Sequence, residues 1–269
     1  MAINKDSNTY TISFAVILVV VVGGLLAFIS TSLKPLQESN VKNEKKQNIL
    51  NCLPGLNFER SDAEANFNVY VKRRVILDYS GNLIEGSERT FENEIDVKDE
   101  LEAFNVNLQK EYRSVAVSDR KYPLFECELE DQTYYVIPVT GKGLWDAIWG
   151  YISVKSDGET IAGAIFDHKA ETPGLGAEIN KDEFENQFIK NENGDPLKIG
   201  RVSSIADLSP DNFKSIKVVK PGSLTDPDAE VDGISGGTFT SVGVQEMLKR
   251  TFYVYYKHFN ERNLQTAKL

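Results

Sequence analysis

The sequence predicts an α+β fold, with a single N-terminal transmembrane helix followed by a soluble domain of antiparallel strands and flanking helices. Three features lead to this prediction. A long uncharged run lies near the N-terminus, short strand-like segments alternate with turn residues, and the C-terminal region repeats apolar residues at helical spacing. Of the 269 residues, 41% are hydrophobic and 26% are charged, which is typical of a folded chain with a sizeable core.

The charge balance and the scarcity of cysteine and histidine exclude several classes of function. A formal net charge of -10 repels polyanions, so we expect no nucleic-acid partner. Cys52 and Cys127 lack the paired spacing of a zinc or iron–sulfur site, and His168 and His258 are far apart in the chain, so we expect no metal. The two cysteines are compatible with free thiols and with one disulfide.

The N-terminal run is long enough to cross a membrane. No charged residue occurs from 7 to 33, and a helix needs roughly 20 apolar residues to span the hydrocarbon. We therefore predict a short tail at 1–10 and a helix embedded in the lipid bilayer at 11–33. A cleaved signal peptide is the alternative, but its apolar core of about 7–15 residues would be shorter than this run.

Lysines flank the predicted span unequally. Lys5 precedes it, whereas four lysines follow it, at Lys34, Lys42, Lys45 and Lys46. Read literally, the positive-inside rule would keep the C-terminal domain in the cytoplasm, although this rule weakens for long translocated domains.

After the span, the polarity of 34–55 predicts a stalk helix or linker, which the L-P-G sequence at 53–55 should end. We expect an α+β subdomain at 56–132. Its predicted elements are strands at 69–71 and 74–77, a turn at 80–82, and a helix that is capped by Asp96 and carries Leu101, Phe104 and Leu108.

The main soluble domain is predicted at 133–262. Its expected elements are a strand at 134–139, a hairpin of 151–154 and 161–166 around Asp157-Gly158, a short helix opened by a capping box of Asn180 and Glu183, and a final helix from near Ser241. The final helix carries an apolar stripe that should face the core, formed by Val244, Met247, Leu248, Thr251, Phe252 and Tyr255.

A loop rich in glycine and hydroxyl groups, D-G-I-S-G-G-T-F-T-S at 232–241, stands directly before the final helix. Glycines allow close approach of a ligand, and the free N–H groups of a helix start attract an anion, so a phosphate would suit this loop. A hydroxyl-capped turn without any ligand explains the same residues. No G-x-G-x-x-G turn follows a predicted strand, so we expect no dinucleotide site.

Residues 232–238 resemble the D-x-x-[ST]-G-A-[ST] signature at which a dedicated transferase attaches FMN, through its phosphate, to the final hydroxyl. The resemblance implies that Thr238 carries covalent FMN, with Ser235, Gly236, Gly237 and Thr240 around the cofactor. Gly237 stands where the signature usually has alanine, and we expect the missing methyl group to add room. Because the flavin transferase supplies the catalytic groups, the resemblance implies no catalytic residue in this chain.

Two further segments extend the resemblance. H-K-A-E-T-P-G-L-G at 168–176 is similar to an element of FMN-binding domains, which implies flavin contacts through Glu171, Thr172, Gly174, Leu175 and Gly176. G-K-G-L-W at 141–145 resembles the NqrC family of sodium-translocating NADH:quinone reductases, and it implies contacts through Leu144 and Trp145. A simple turn is the alternative for the first segment, and a buried core tryptophan is the alternative for Trp145.

The likeness to the NqrC family extends over nearly the whole chain, because K-P-L-Q-E at 34–38 and K-Q-N-I-L at 46–50 also match. It implies an electron-transfer subunit that relays single electrons between other subunits of the Nqr complex, which couples NADH oxidation by quinone to sodium export. It further implies the bacterial cytoplasmic (inner) membrane, with the FMN-binding domain on the extracytoplasmic, periplasmic side. That side is opposite to the one indicated by the lysines.

Two other functions are compatible with the sequence. RnfG, the flavin subunit of an Rnf-type ferredoxin:NAD oxidoreductase, shares the E-T-P-G-L-G element and the threonine site, whereas G-K-G-L-W and the region 57–132 favour the quinone reductase. A membrane-anchored extracytoplasmic binding protein without a cofactor fits the composition as well.

Overall fold

The computed structural model describes residues 7–202 and 208–266, with side chains described up to residue 262. The chain divides into two compact units, Met1–Lys45 and Lys46–Leu269. The first holds most of one long helix, and the second holds an antiparallel sheet with helices. This architecture confirms the predicted α+β fold class.

The N-terminal helix α1 runs without interruption from Asn8 to Asn51, with Pro35 inside it. Of the helices that the structure describes, it alone is long and apolar enough to cross a membrane, and its most apolar window is fully exposed. The predicted span at 11–33 and much of the predicted stalk at 34–55 therefore share one helix. It ends just before the L-P-G sequence, where Gly55 has a φ of +74°. The part of the predicted tail at 1–6 lies outside the described residues.

The second unit contains eight described strands and four further α-helices. In chain order they are α2 Arg60–Tyr70, β1 Val71–Leu77, β2 Arg89–Thr90, α3 Leu108–Ser114, β3 Tyr122–Leu129, β4 Gln132–Lys142, β5 Ala147–Lys155, β6 Ile161–His168, α4 Asp182–Ile189, β7 Lys217–Val219, β8 Glu230–Asp232 and α5 Thr238–Thr266. Short 3-10 turns occur at Ala103–Asn105, Val117–Asp119 and Gly176–Asn180.

Six strands form one antiparallel sheet in the order β2-β1-β3-β4-β5-β6, and β7 pairs in parallel with β8. The predicted domain boundary at residue 132 falls in the tight turn between β3 and β4, where Glu130 and Asp131 have φ values of 50° and 60°. These strands pair from Phe125 opposite Val136 to Leu129 opposite Gln132. Residues 56–132 are therefore not a separate subdomain, because one sheet crosses the boundary.

The sheet is buried on both faces because alternate residues of each strand point in opposite directions. On β4, Tyr135, Ile137 and Val139 join a core with α4 and α5. Tyr134 and Val136 join a second core with α2 and the end of α1. The predicted apolar stripe of α5 is buried as expected. Strand β4 is therefore packed on both of its faces. The loop that follows β4 belongs to the site described below, and it projects from this packed strand.

Two predictions before the sheet were wrong. The segment 69–71 was predicted as a strand, but α2 continues to Tyr70, because Ala63 and Phe67 bury one helical face. Asp96 caps no α-helix: its side chain accepts from the backbone N–H of Lys98 in a local turn. Side chains in this stretch accept hydrogen bonds from nearby backbone N–H groups, which competes with a continuous helix. The stretch therefore forms only the 3-10 turn Ala103–Asn105 and then α3.

The two predicted helices around the site exist, with different starts. Helix α4 begins at Asp182 without a side-chain cap, so the capping box of Asn180 and Glu183 is wrong. Helix α5 begins at Thr238 rather than near Ser241, because the backbone N–H of Ser241 already donates to the carbonyl of Gly237 at 2.9 Å. The hairpin around Asp157-Gly158 is confirmed by the pairing of β5 with β6.

Candidate functional site

Three loops meet at one end of the sheet. One connects β4 to β5, one follows β6, and one joins β8 to α5. The first is a tight turn in which the backbone N–H of Gly143 donates to the carbonyl of Asp146 at 2.8 Å. Because β4 and β5 pair up to Lys142 opposite Ala147, this turn projects directly from the end of two packed strands.

Glu171, a residue only 5% exposed, links these loops through its carboxylate. Oε1 accepts from the backbone N–H of Trp145 at 3.0 Å, and Oε2 accepts from Oγ1 of Thr240 at 2.5 Å. The backbone N–H of Glu171 itself donates to Nδ1 of His168 at 3.2 Å. A buried carboxylate held by two donors fixes the relative positions of its partners, since losing either donor leaves an unsatisfied charge.

Glycines make room for this carboxylate. A Cβ atom at Gly143 would lie 2.5 Å from Oε1 of Glu171, and one at Gly176 would lie 2.4 Å from both Oε2 and the Thr240 hydroxyl. Such distances are too short for any real Cβ atom. Gly143 of G-K-G-L-W and Gly176 of E-T-P-G-L-G are therefore required by close packing around Glu171.

The loop before α5 is closed by its own polar groups. The backbone N–H of Gly237 donates to the carbonyl of Ile234 at 2.9 Å, and Ser241 Oγ accepts from the backbone N–H of Ile234 at 2.9 Å. Gly236 has a φ of +75°, which favours glycine, and a Cβ there would approach Leu175. The loop therefore packs against the segment after β6.

Gly237 has less free space around it than the sequence analysis predicts. A Cβ atom at this position would lie 3.0 Å from Cβ of Ile234 and 3.2 Å from the backbone nitrogen of Gly176. The alanine of the usual signature would thus require Ile234 to move by a few tenths of an ångström. Glycine fits this loop as it stands.

Thr238 is the first residue of α5, and its side chain is exposed. At this position, the free N–H groups of the first helical turn and the positive end of the helix dipole favour an anion. The two hydroxyls nearest in sequence differ from each other: Ser235 is exposed, whereas Thr240 is buried and bound to Glu171. Thr238 and Ser235 are therefore the accessible hydroxyls of this loop.

Exposed apolar side chains surround the loop. This apolar rim consists of Leu144, Trp145, Leu175 and Phe239, and two of its members are strongly exposed, Trp145 at 66% and Phe239 at 73%. Trp145 is thus no core residue, and its Nε1 donates to the hydroxyl of Thr172 at 3.2 Å. Large apolar side chains clustered on a surface are typical of a ligand or partner site.

A cavity of about 270 Å³ opens on another side of Thr238. Its wall includes Lys220, Pro221, Ile234 and Val242, and among the described residues that line it Lys220 is the one cationic side chain. Of these residues, Lys220, Pro221 and Val242 were not identified from the sequence as part of the site. The parallel pair of β7 and β8 brings Lys220 beside the loop, since Val219 lies opposite Asp232. Three-residue strands give no periodic signal from which this pairing could be predicted.

The turn that carries Trp145 is anchored electrostatically. The carboxylate of Asp146 accepts from Lys169 and from Arg113, both at 2.8 Å. These hydrogen bonds, first that of Lys169 and then that of Arg113, hold the pKa of Asp146 well below its usual range. Asp146 is therefore ionised at neutral pH and ties the first loop to the loop after β6.

The predicted site residues thus converge on one surface. Thr238, Ser235, Gly236 and Gly237 form one loop, Glu171 to Gly176 form the second, and Leu144 with Trp145 form the third. Within the described residues, no group of three or more His, Cys, Asp or Glu side chains gathers as a metal site would require.

Comparison with known proteins identifies the family. The crystal structure of the NqrC subunit of the Na(+)-translocating NADH-quinone reductase from Parabacteroides distasonis has 36% sequence identity to this chain and a TM-score of 0.66. The match covers 84% of this chain and 96% of that one. This chain belongs to the NqrC family of Na(+)-translocating NADH-quinone reductase subunits. The NqrC subunit of Vibrio anguillarum is 27% identical over 247 residues, which cover 91% of this chain and 90% of that protein.

Two further findings concern the domain and its fold. Residues 143–252 match the FMN-binding domain family, which spans all three loops of the site. The crystal structure of Shewanella oneidensis NqrC is 20% identical, with a TM-score of 0.56, and covers 82% of this chain and 97% of that one. At this identity the likeness concerns the fold alone. Membership of the NqrC family and the FMN-binding domain agree with the predicted family and with FMN as the cofactor.

The chemistry of the site suits FMN. An exposed hydroxyl at a helix start suits a phosphate, and Lys220 adds a positive charge in the wall beside it. The apolar rim offers surface to an aromatic ring system, and Thr172 and Ser235 offer hydroxyls to its polar edge and chain. Glu171 and Thr240 satisfy each other, so they fix the loops rather than face a ligand.

Proposed function

We propose that this chain is the covalent-FMN subunit of a Na(+)-translocating NADH:quinone reductase, with FMN esterified to Thr238. The observation that carries the proposal is the exposed hydroxyl of Thr238 at the first position of α5, within a loop that resembles a flavin-attachment signature apart from Gly237. When bound, FMN supplies one-electron redox chemistry, which no side chain of this site can supply.

Attachment requires no catalytic base in this chain. The Thr238 oxygen forms a bond to the FMN phosphorus of FAD, the diphosphate bond of FAD breaks, AMP leaves, and the hydroxyl proton passes to the flavin transferase. What the chain provides is an accessible acceptor on an ordered loop. The bonds within the loop hold Thr238 outward, and the start of α5 stabilises the added negative charge.

We assign the other site residues to two roles. Leu144, Trp145, Thr172 and Leu175 face solvent and would contact the flavin, as would Ser235. The buried Glu171 and Thr240, together with the site glycines at 174, 176, 236 and 237, would act by shaping and positioning the loops.

Mass spectrometry of denatured protein tests the attachment. The full chain, produced together with its flavin transferase, should carry a mass increase equal to FMN less one water, located on the peptide that contains Thr238. Thr238→Val should abolish the adduct, and Thr238→Ser should retain it. Ser235→Ala is the matched control, since it removes the other accessible hydroxyl of the loop and should remain flavinylated. An adduct that persists in Thr238→Val would refute this assignment.

We further propose that the protein relays electrons between neighbouring subunits of the complex, whose turnover exports sodium. The exposed apolar rim supports this role, because a redox group at a surface can approach a partner's redox centre. A complex containing Thr238→Val should assemble with all its subunits, yet lose NADH-driven quinone reduction and sodium uptake into vesicles. Undiminished quinone reduction by that complex would contradict the relay.

We place the protein in the bacterial inner membrane, anchored by α1, with the FMN-binding domain in the periplasm. The support is the single apolar helix together with membership of the NqrC family. Protease added to intact spheroplasts should degrade the domain while sparing a cytoplasmic marker protein. A domain that becomes sensitive only after lysis would reverse the orientation.

A further inference from the structure

The loop that carries Thr238 is held at its start by a side chain from outside the three flavin loops. Gln187 lies on α4, 45 residues before Asp232, with which this loop begins. Its Oε1 accepts from the backbone N–H of Asp232 at 2.7 Å, and its Nε2 donates to the backbone carbonyl of the same residue at 3.2 Å. A side-chain amide that satisfies both backbone groups of one residue takes the place of a neighbouring β-strand.

This contact lies on the edge of β8 that faces away from β7. On the other edge, Val219 lies opposite Asp232, and its carbonyl accepts from the backbone N–H of Gly233 at 2.7 Å. Strand β8 has only three residues, Glu230–Asp232, and an isolated two-stranded pair is marginally stable at best. Gln187 therefore supplies the bonds of a third strand at the point where β8 passes into the loop.

The helix that carries Gln187 is well packed against the sheet. Phe184 and Phe188 of α4 are both buried, and their ring centroids lie 5.6 Å and 5.2 Å from that of Phe166 on β6. Aromatic side chains packed at such distances fix the position of a helix on a strand. Because β6 leads into the second flavin loop, Gln187 joins the start of the Thr238 loop to the part of the sheet that supports the rest of the site.

Asp232 joins two walls of the cavity beside Thr238. Its backbone leads directly into one wall, which begins at Gly233. Its carboxylate reaches the other wall, because Oδ1 accepts from the backbone N–H of Gly222 at 2.8 Å, in the turn that follows Lys220. The position of Asp232 therefore affects both the acceptor hydroxyl of Thr238 and the cation across the cavity from it.

We propose that Gln187 is a positioning residue for flavin attachment: by holding Asp232, it presents the hydroxyl of Thr238 to the flavin transferase in one orientation. This inference rests on the proposed attachment of FMN to Thr238. A loop that is already ordered loses less conformational freedom when the transferase brings FAD to it. Gln187 lies outside the described lining of the cavity, so its effect on the reaction passes through Asp232.

Attachment kinetics of the full chain in detergent test this role, with purified flavin transferase, FAD and a measurement of covalent FMN in the denatured protein. Gln187→Met should lower kcat/KM for the protein acceptor by about tenfold, because two hydrogen bonds that favour the ordered loop are lost. The KM for FAD should not change. A purely structural bond would lower the Tm and leave the rate well below the Tm unchanged, since nearly all molecules stay folded there.

Gln245→Met is the matched control. Gln245 lies on α5, and its Oε1 accepts from the backbone N–H of Val218 in β7 at 3.1 Å. The same substitution thus removes a side-chain acceptor from the pair of β7 and β8 without touching Asp232, and attachment should proceed at the wild-type rate. Gln187→Glu is a second variant of nearly unchanged shape. At about pH 8 its carboxylate would face the carbonyl of Asp232 without a donor, so it should also slow attachment.

Hydrogen exchange of single amides in protein made without transferase measures the contact directly. The backbone amide of Asp232 should exchange faster in Gln187→Met than in the wild type, because it has lost its acceptor. The amide of Val218 should exchange faster only in Gln245→Met. These rates do not depend on whether any flavin is attached.

Three results would overturn the proposal. The first is a wild-type kcat/KM in both Gln187→Met and Gln187→Glu. The second is an equal slowing in Gln187→Met and Gln245→Met, which would assign the effect to the stability of the strand pair. The third is an Asp232 amide that exchanges equally fast in the wild type and in Gln187→Met. Failure of the proposed attachment itself has a different pattern, since the wild type would then stay unmodified or Thr238→Val would be modified.

Discussion

The hydrogen bond between Glu171 and Thr240 should contribute measurably to stability, and a double-mutant cycle isolates its contribution. Glu171 is 5% exposed and Thr240 is 1% exposed, and their oxygens are 2.5 Å apart. Neither group can exchange this partner for water without opening the site. The pair therefore fulfils the conditions under which a hydrogen bond to a charged group has its full strength.

The expected magnitude follows from this geometry. A hydrogen bond to a charged group contributes about 1.5–3 kcal/mol, so the coupling energy between Glu171→Ala and Thr240→Val should be about 2 kcal/mol. Glu171→Ala alone should cost more, because the backbone N–H of Trp145 loses its acceptor as well. The cavity left by this truncation is present in both halves of the cycle and cancels from the coupling energy.

Urea unfolding of the full chain in detergent, followed by tryptophan fluorescence, measures the four free energies. Both tryptophans, Trp145 and Trp149, belong to the second unit, Lys46–Leu269. Protein made without flavin transferase keeps the variants comparable. Thr238→Val is the matched control, since Thr238 is an exposed threonine of the same helical turn and should show no coupling to Glu171→Ala. A coupling energy below about 0.5 kcal/mol for the Glu171–Thr240 pair would refute the proposed link between the loops.

Three further predictions concern other parts of the second unit. Arg74→Met should destabilise the fold by about 3–5 kcal/mol in urea unfolding, because it leaves a fully buried carboxylate unpaired, whereas Arg73→Met, at a partly exposed ion pair, should cost less than about 1 kcal/mol. Burial first, and then nearby carboxylates, raise the pKa of Glu185 from 4.5 to about 7. The contribution of Glu185 to the free energy of unfolding is therefore fully present at low pH and should fall as the pH rises from about 4.5 to 7, by at most about 3 kcal/mol. Glu185→Gln should flatten this part of the pH profile, and an unchanged profile would contradict the prediction. Cys52 and Cys127 are free and buried, and burial raises the pKa of Cys52 to about 12, so a thiol reagent at pH 8 should label neither in the native protein and both in urea; rapid native labelling would show that this core opens.

Some elements followed from local sequence because a local physical cause determines them. Helix α5 was predictable because six of its residues, five of them apolar, repeat at helical spacing. The hairpin of β5 and β6 was predictable because Asp157-Gly158 marks the turn. The prediction of a helix capped by Asp96 was wrong because Glu102 makes other contacts. It forms an ion pair with Arg74, 28 residues earlier in the chain, and it accepts a hydrogen bond from the backbone N–H of Phe104. A long-range contact of this kind leaves no periodic pattern in the sequence.

The sequence by itself determined the apolar N-terminal helix, the loop that carries Thr238, and the membership of a family whose motifs the chain retains. Only the tertiary structure decided what those motifs do. The glycines at 143 and 176, far apart in the chain, both make room for the same carboxylate of Glu171, and Trp145 and Phe239 are left on the surface. It also brought Lys220 beside the site. The physical reason is that helices and tight turns form from neighbours in the chain, whereas the contacts that complete a site depend on how distant strands pair.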